Sequence, residues 1–181
     1  MKRIIITGEI QSGKTTLAAA LVDSLRMKGR SVAGFLALGI WDDDQRSGFD
    51  LLDLTTNAVT PLARRAMTEQ AGEITPFIFN EAGLAAGRGL LSPESAGKSE
   101  YIFIDEVGKL EMKGAGWAPE LSPLLEAVSQ EDALPERTLI WLVRATLVEA
   151  VMRRWDVPRT DIVSADSDDA LEQLQSLCFA G

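Results

Sequence analysis

The chain has 181 residues, 46% of them hydrophobic and 25% charged, the proportions of one folded domain that needs neither a disulfide nor a structural metal. A formal net charge of −9, from 27 acidic and 18 basic residues, works against binding a nucleic-acid backbone. There is no histidine, which removes histidine bases, histidine-ligated zinc and Ser-His-Asp catalysis together, and the one cysteine, Cys178, cannot form an intrachain disulfide.

In chain order, Lys2 to Thr7 (KRIIIT) reads as a buried β-branched strand ended by Gly8. Lys14 to Lys28 follows as a helix with Leu17, Leu21 and Leu25 on one face and Gly29 as its C-terminal stop. Ser31 to Leu38 is a second strand, Asp42 to Asp44 a turn, and Gly48 to Leu54 the return arm of an antiparallel hairpin. Thr60 to Phe79 suggests one short helix and a strand at Phe77 to Phe79. Asn80 to Leu91 has helical character and Ser92 to Ser99 reads as a loop. Tyr101 to Ile104 is an apolar strand ending at Asp105. Strands at Thr138 to Val143 and near Ile162 then alternate with helices near Pro119 to Ser129, Thr146 to Trp155 and Asp168 to Leu177. Such alternation predicts one α/β domain over residues 1–181, a mostly parallel sheet with helices on both faces, and ligand loops at the carboxyl ends of its strands. No stretch approaches the ~18 apolar residues of a membrane span. The start also lacks the apolar core and cleavage site of a signal peptide, so a cytoplasmic location is expected.

Gly8 to Thr15 reads GEIQSGKT, a match to G-x-x-x-x-G-K-[ST] between a predicted strand and a predicted helix. Glycines allow the backbone to wrap a phosphate with converging N–H groups, and the helix start adds its dipole. Lys14 would reach the terminal phosphates and the Thr15 hydroxyl would ligate Mg²⁺. The plain alternative is a glycine turn without a ligand. Asp105-Glu106 after an apolar strand fits the second half of such a site, with Asp105 held beside the Mg²⁺ and Glu106 positioned to orient or deprotonate a water. Asp42-Asp43-Asp44 reads as a solvated turn, and Asp166, Asp168 and Asp169 as the start of the last helix. Trp141 and Trp155 read as core, whereas Trp117, near the acidic pair, suggests a stacking or lid role. Arg46, Arg64, Arg65, Arg88 and Arg144 are the arginine candidates for the terminal phosphate, and spacing does not choose among them.

Four stretches, IIITGEIQSGKTTL, RSGFDLLDL, FIDEVGKLEM and LVRATLVEAV, together resemble the THEP-type small nucleoside-triphosphatases, known in animals as cancer-related nucleoside-triphosphatases. The resemblance covers most of the length, although KGAGWAP at Lys113 to Pro119 and the segment Ala66 to Thr75 depart from its pattern. It implies a P-loop NTPase fold and phosphate binding by Gly8, Glu9, Ile10, Gln11, Ser12, Gly13, Lys14, Thr15 and Thr16. It also implies Mg²⁺ and water positioning by Asp105 and Glu106, and it draws attention to Arg46, Lys109 and Glu111. The expected activity is Mg²⁺-dependent hydrolysis of ATP or another nucleoside triphosphate. Base preference should be loose, since no N-K-x-D segment for guanine is present. The expected partner is the nucleotide, without nucleic acid or membrane, and a protein partner is left open. The competing readings are a small-molecule or nucleoside kinase and a non-catalytic nucleotide-binding adaptor.

Overall fold

A computed structural model describes residues 1–66, 75–96, 98–129, 137–156 and 161–179. Strand β1 (Lys2–Gly8) leads through the glycine loop to helix α1 (Lys14–Met27) and strand β2 (Val32–Asp42). Strands β3 (Gln45–Asp53), β4 (Val59–Arg65) and β5 (Phe77–Phe79) follow, then helices α2 (Glu81–Leu90) and α3 (Pro93–Ala96). Strand β6 (Tyr101–Val107) precedes helices α4 (Lys109–Met112) and α5 (Ala118–Ser129). Strand β7 (Thr138–Arg144), a 3₁₀ turn at Ala145–Leu147, helix α6 (Val148–Trp155), strand β8 (Ile162–Ser164) and helix α7 (Ala170–Phe179) complete the fold.

The strands form one mixed sheet in the order β5-β4-β3-β2-β6-β7-β1-β8. The five from β2 to β8 in that order run parallel, while β3, β4 and β5 extend it as an antiparallel meander. Parallel neighbours need crossovers, and the helices between them cover both faces of the sheet. Alternation along β1 shows the result. Ile4 and Ile6 pack with Leu21 and Leu25 of α1 and Leu174 of α7, whereas Ile5 packs with Leu121 and Leu124 of α5 and Val151 of α6. Period-two alternation in β1 and the four-residue leucine spacing of α1 are thus two halves of one packing solution.

Most elements fall where the sequence predicts. Helix α1 ends with Gly29 in a left-handed conformation (φ +71°), its N–H donating to Arg26 O and that of Arg30 to Leu25 O. The hairpin turn at Asp43-Asp44 forms as expected, with Asp43 at φ +49°. Trp141 and Trp155 are buried and meet edge to face at 5.5 Å. Three expectations change. The extension is a three-strand meander beyond the hairpin: β4 occupies the start of the segment assigned a short helix, and the rest of that helix falls on residues outside those described. Pro61 disguised β4, but it sits beside a register shift in the β3–β4 ladder where a missing N–H is tolerated. The loop expected over Ser92 to Ser99 contains α3. Strand β6 runs on to Val107, because buried Val107 resumes pairing with Val143 after an irregularity at Asp105-Glu106.

Helix α2 approaches the sheet closely through Gly87, where a Cβ would lie 2.6 Å from the Trp117 ring. Gly89 in the same helix has open space around it. Gly87→Ala should therefore destabilise the fold by about 1–3 kcal/mol through overpacking. Gly89→Ala should instead be neutral or stabilising, by up to about 1 kcal/mol. Urea unfolding of both variants checks the pair.

Candidate active site

The carboxyl ends of β1, β6 and β7 meet because β7 lies between the other two. Gly8 pairs with Arg144 across the β1–β7 ladder, and Val143 pairs with Val107 across β7–β6. The glycine loop, the acidic pair and Arg144 are thereby assembled from three distant parts of the chain.

Within the loop, Gly13 stands at the helix start with φ +82°, a left-handed conformation that lets the chain turn into α1. The first intrahelical bond runs from Leu17 N to Gly13 O, and no side chain caps the helix start. The N–H groups of Lys14, Thr15 and Thr16 therefore face outward at the positive end of the helix dipole. Lys14 Nζ folds back over the loop, donating to Gly8 O (3.1 Å), Glu9 O (2.5 Å) and Ser12 Oγ (3.4 Å). Burial pulls Lys14 below the usual lysine range, against the opposing pull of Glu106 and Asp105.

Asp105 is buried, and both its oxygens accept hydrogen bonds. Oδ2 accepts from the Thr15 hydroxyl (3.0 Å) and from Ala37 N (2.9 Å), and Oδ1 accepts from Glu106 N (2.8 Å). Burial, reinforced by the neighbouring Glu106 charge and only partly offset by these hydrogen bonds, raises its pKa to about 7. Glu106 adopts φ +59°, a left-handed backbone uncommon outside glycine, at the point where β6 departs from regular pairing with β7. That kink turns its half-exposed carboxylate toward Arg144, with an N–O distance of 3.7 Å.

The other residues singled out in the sequence separate clearly. Arg144 stands beside the glycine loop. Arg64 is engaged by Asp50 at 2.7 Å and by two backbone carbonyls, and Arg88 donates to Gly116 O. Arg46 stacks over Trp41 and Phe49, while Lys109 is exposed at the start of α4, and both line the cleft that Glu106 and Arg144 border. Glu111 is a buried brace: Oε2 accepts from Gly108 N (2.7 Å) and Oε1 from Trp117 N (3.0 Å). Trp117 does not form a lid. It is 2% exposed, packed 4.7 Å from the Phe35 ring, and makes a fixed wall of the cleft. Spacing did not reveal that wall, because the Trp117 indole is held by Gly87 and Phe35 from other elements. Asp168 and Asp169 precede α7 as expected, with Asp169 accepting from Gln173.

A glycine loop closed by a lysine and a buried carboxylate reached through a threonine hydroxyl define a P-loop nucleotide-binding protein of the α/β class. Comparison with known proteins agrees. The family model described as NTPase matches residues 3–165. Nucleoside-triphosphatase THEP1 of Methanocaldococcus jannaschii is 32% identical over 128 residues, covering 69% of this chain and 72% of that protein. Its namesake from Sulfurisphaera tokodaii is 28% identical over 138 residues, covering 71% and 72%. The solution structure of a human cancer-related nucleoside triphosphatase superposes with a TM-score of 0.70 over 99% of this chain and 97% of that one, at 20% identity, a likeness of fold. The chain belongs to the NTPase family, the nucleoside-triphosphatases of the THEP1 kind.

Glu111→Ala leaves the buried N–H groups of Gly108 and Trp117 without an acceptor, at about 1–3 kcal/mol each. Chemical denaturation should show a loss of about 2–6 kcal/mol. Glu111→Gln, which keeps one accepting oxygen, should lose less. Equal stability of all three proteins would remove Glu111 from its bracing role.

Proposed function

We propose that the chain hydrolyses nucleoside 5′-triphosphates at this site with Mg²⁺, giving the diphosphate and phosphate with little regard for the base. The observation that carries the reading is the Thr15 Oγ1–Asp105 Oδ2 contact at 3.0 Å, which joins the glycine loop to the acidic pair across 90 residues of sequence.

In this reading the outward N–H groups of residues 14–16 and the Lys14 ammonium hold the β- and γ-phosphates. The residues fit a small oxygen-ligated cation. Asp105 is a buried carboxylate destabilised in its charged form, and Thr15 presents an oxygen beside it. Among the described residues no group of three or more His, Cys, Asp or Glu could hold a metal by itself, so phosphate oxygens and water would complete the shell, the habit of Mg²⁺. Bound there, Mg²⁺ would neutralise phosphate charge and align the terminal phosphate.

Glu106 takes the next role. Its carboxylate, turned into the cleft by the kinked backbone, would orient a water for in-line attack and accept its proton as the β–γ bridging bond breaks. Arg144 would balance charge on the departing phosphoryl oxygens. Its pairing beside Gly8 favours it over Arg46, which stands on the antiparallel strand β3 with its guanidinium over the Trp41 and Phe49 rings. The sequence holds no guanine-reading N-K-x-D segment, which supports loose base preference. No described helix is long and apolar enough to cross a membrane.

Phosphate release from the four ribonucleoside triphosphates tests the proposal. Glu106→Gln should slow turnover about 100-fold or more while nucleotide affinity holds. Arg144→Ala should lower kcat by about 10³-fold or more, the scale of an arginine acting on a transferring phosphoryl group. Lys14→Ala should lose most triphosphate affinity, and chelation of the metal should stop turnover. Undiminished turnover in the Glu106→Gln protein would contradict the assignment.

A further inference from the structure

Beyond Glu106 and Arg144 the site opens into a cleft of about 310 Å³, bounded by α4 and the antiparallel strands β3, β4 and β5, within the usual size of small-molecule sites. Its lining is unlike the rest of the molecule. In a chain of net charge −9, five of the 18 lysines and arginines face it: Lys14, Arg46, Arg65, Lys109 and Arg144. Among the described residues only two carboxylates line it, and one of these, Glu111, is occupied by the N–H groups of Gly108 and Trp117.

The cations at its outer end are organised. Arg46 lies 4.7 Å from the Trp41 ring and 5.0 Å from the Phe49 ring. Phe49 meets Phe77 edge to face at 5.0 Å, and Arg65 lies 5.4 Å from the Phe77 ring. Arg65 Nε also donates to the Arg46 backbone carbonyl at 3.0 Å, which ties the Arg65 side chain to β3. An aromatic face beside each guanidinium restricts its motion while its terminal N–H groups remain able to donate. Arg46 Nε is buried and has no hydrogen-bond partner, and among the described residues neither arginine has a carboxylate partner. A pair of preset donor forks over an apolar floor of Leu62, Phe77 and Trp117 is a receptor for a group carrying both properties.

We propose that this cleft is a second small-molecule site, taking a compact organic anion, a carboxylate or phosphate on an aromatic or branched apolar body, alongside the nucleotide. The proposal rests on the hydrolase reading for the nucleotide's placement. Ile10, Gln11 and Lys14 of the glycine loop line the cleft's inner end, so a triphosphate in the proposed seat would bring its last phosphate there, and the proposal takes the nucleoside to point away from the cleft. The anion seats its charged group on Arg46 and Arg65 and its apolar body against Trp117. Its inner end then reaches Glu106, where the attacking water would stand, so an occupant governs how fast the terminal phosphate reaches water.

Phenylacetate and phenyl phosphate, with neutral phenylacetamide as control, are suitable probes for the full chain. Ligand-observed NMR is run with and without saturating nucleotide, and phosphate release is followed in parallel. Both anions should bind the nucleotide-saturated protein with Kd on the order of 1 mM, as expected for ligands of this size, and phenylacetamide should not. They should lower kcat for phosphate release without raising KM for the nucleotide. Arg65→Ala, at an exposed position away from the loop and the acidic pair, should weaken anion binding about 10-fold and leave phosphate release without probe unchanged. Absence of binding, equal binding of phenylacetamide, undiminished binding to Arg65→Ala, or a rise in nucleotide KM showing that the base fills the cleft would each overturn the proposal. A wild-type protein that binds the anions but releases no phosphate would instead overturn the hydrolase reading.

Discussion

Asp105 is a carboxylate held inside the protein beside a second carboxylate, and its surroundings follow from the need to make that tolerable. Desolvating an ion costs several kcal/mol in a protein interior unless charge or hydrogen bonds offset it. Three donors answer part of the need: a threonine hydroxyl from the glycine loop, a backbone N–H from β2 and the N–H of Glu106. They come from three separate elements, so satisfying one side chain draws the loop, the second strand and the end of β6 to a single point. Burial and the Glu106 charge outweigh these bonds, so the carboxyl is held well above the usual aspartate range.

The sheet order converts that constraint into a site. With β7 between β1 and β6, the loop and the acidic pair stand one strand apart, and the residue that ends the intervening strand is Arg144. An arginine at that position faces both the phosphate loop and Glu106 without any dedicated loop to carry it. Brace residues hold the far wall. Glu111 ties Gly108 to Trp117, and Arg88 on α2 ties to Gly116, so the segment after β6 is fixed from two sides. The cleft lies between this braced wall and the antiparallel strands.

Local patterns carried much of this into the sequence. Gly8 to Thr15 is legible because phosphate wrapping demands glycine, lysine and hydroxyl at fixed spacing. The Asp105-Glu106 pair is legible only alongside that loop, because acid after an apolar strand is common by itself and gains meaning when a phosphate-binding motif precedes it. What stayed hidden depends on pairing between distant segments. Arg144 looked like any of five arginines until its strand was seated beside Gly8. Trp117 reads as a stacking or lid residue because nothing in KGAGWAP announces Gly87 and Phe35 as its neighbours. Strand β4 was obscured by Pro61 and two arginines, residues that a ladder irregularity and Asp50 accommodate. Glu106's left-handed backbone likewise arises only because Val107 re-enters pairing with β7.

The central claim is that the loop and the buried carboxylate form one metal-assisted triphosphate site. A crystal structure with a non-hydrolysable triphosphate and Mg²⁺ tests it most directly. The account predicts the ion at Thr15 Oγ1 within one water of Asp105, with the terminal phosphate between Lys14 and Arg144. A metal bound elsewhere, or phosphates lying outside the loop of residues 8–15, would contradict it.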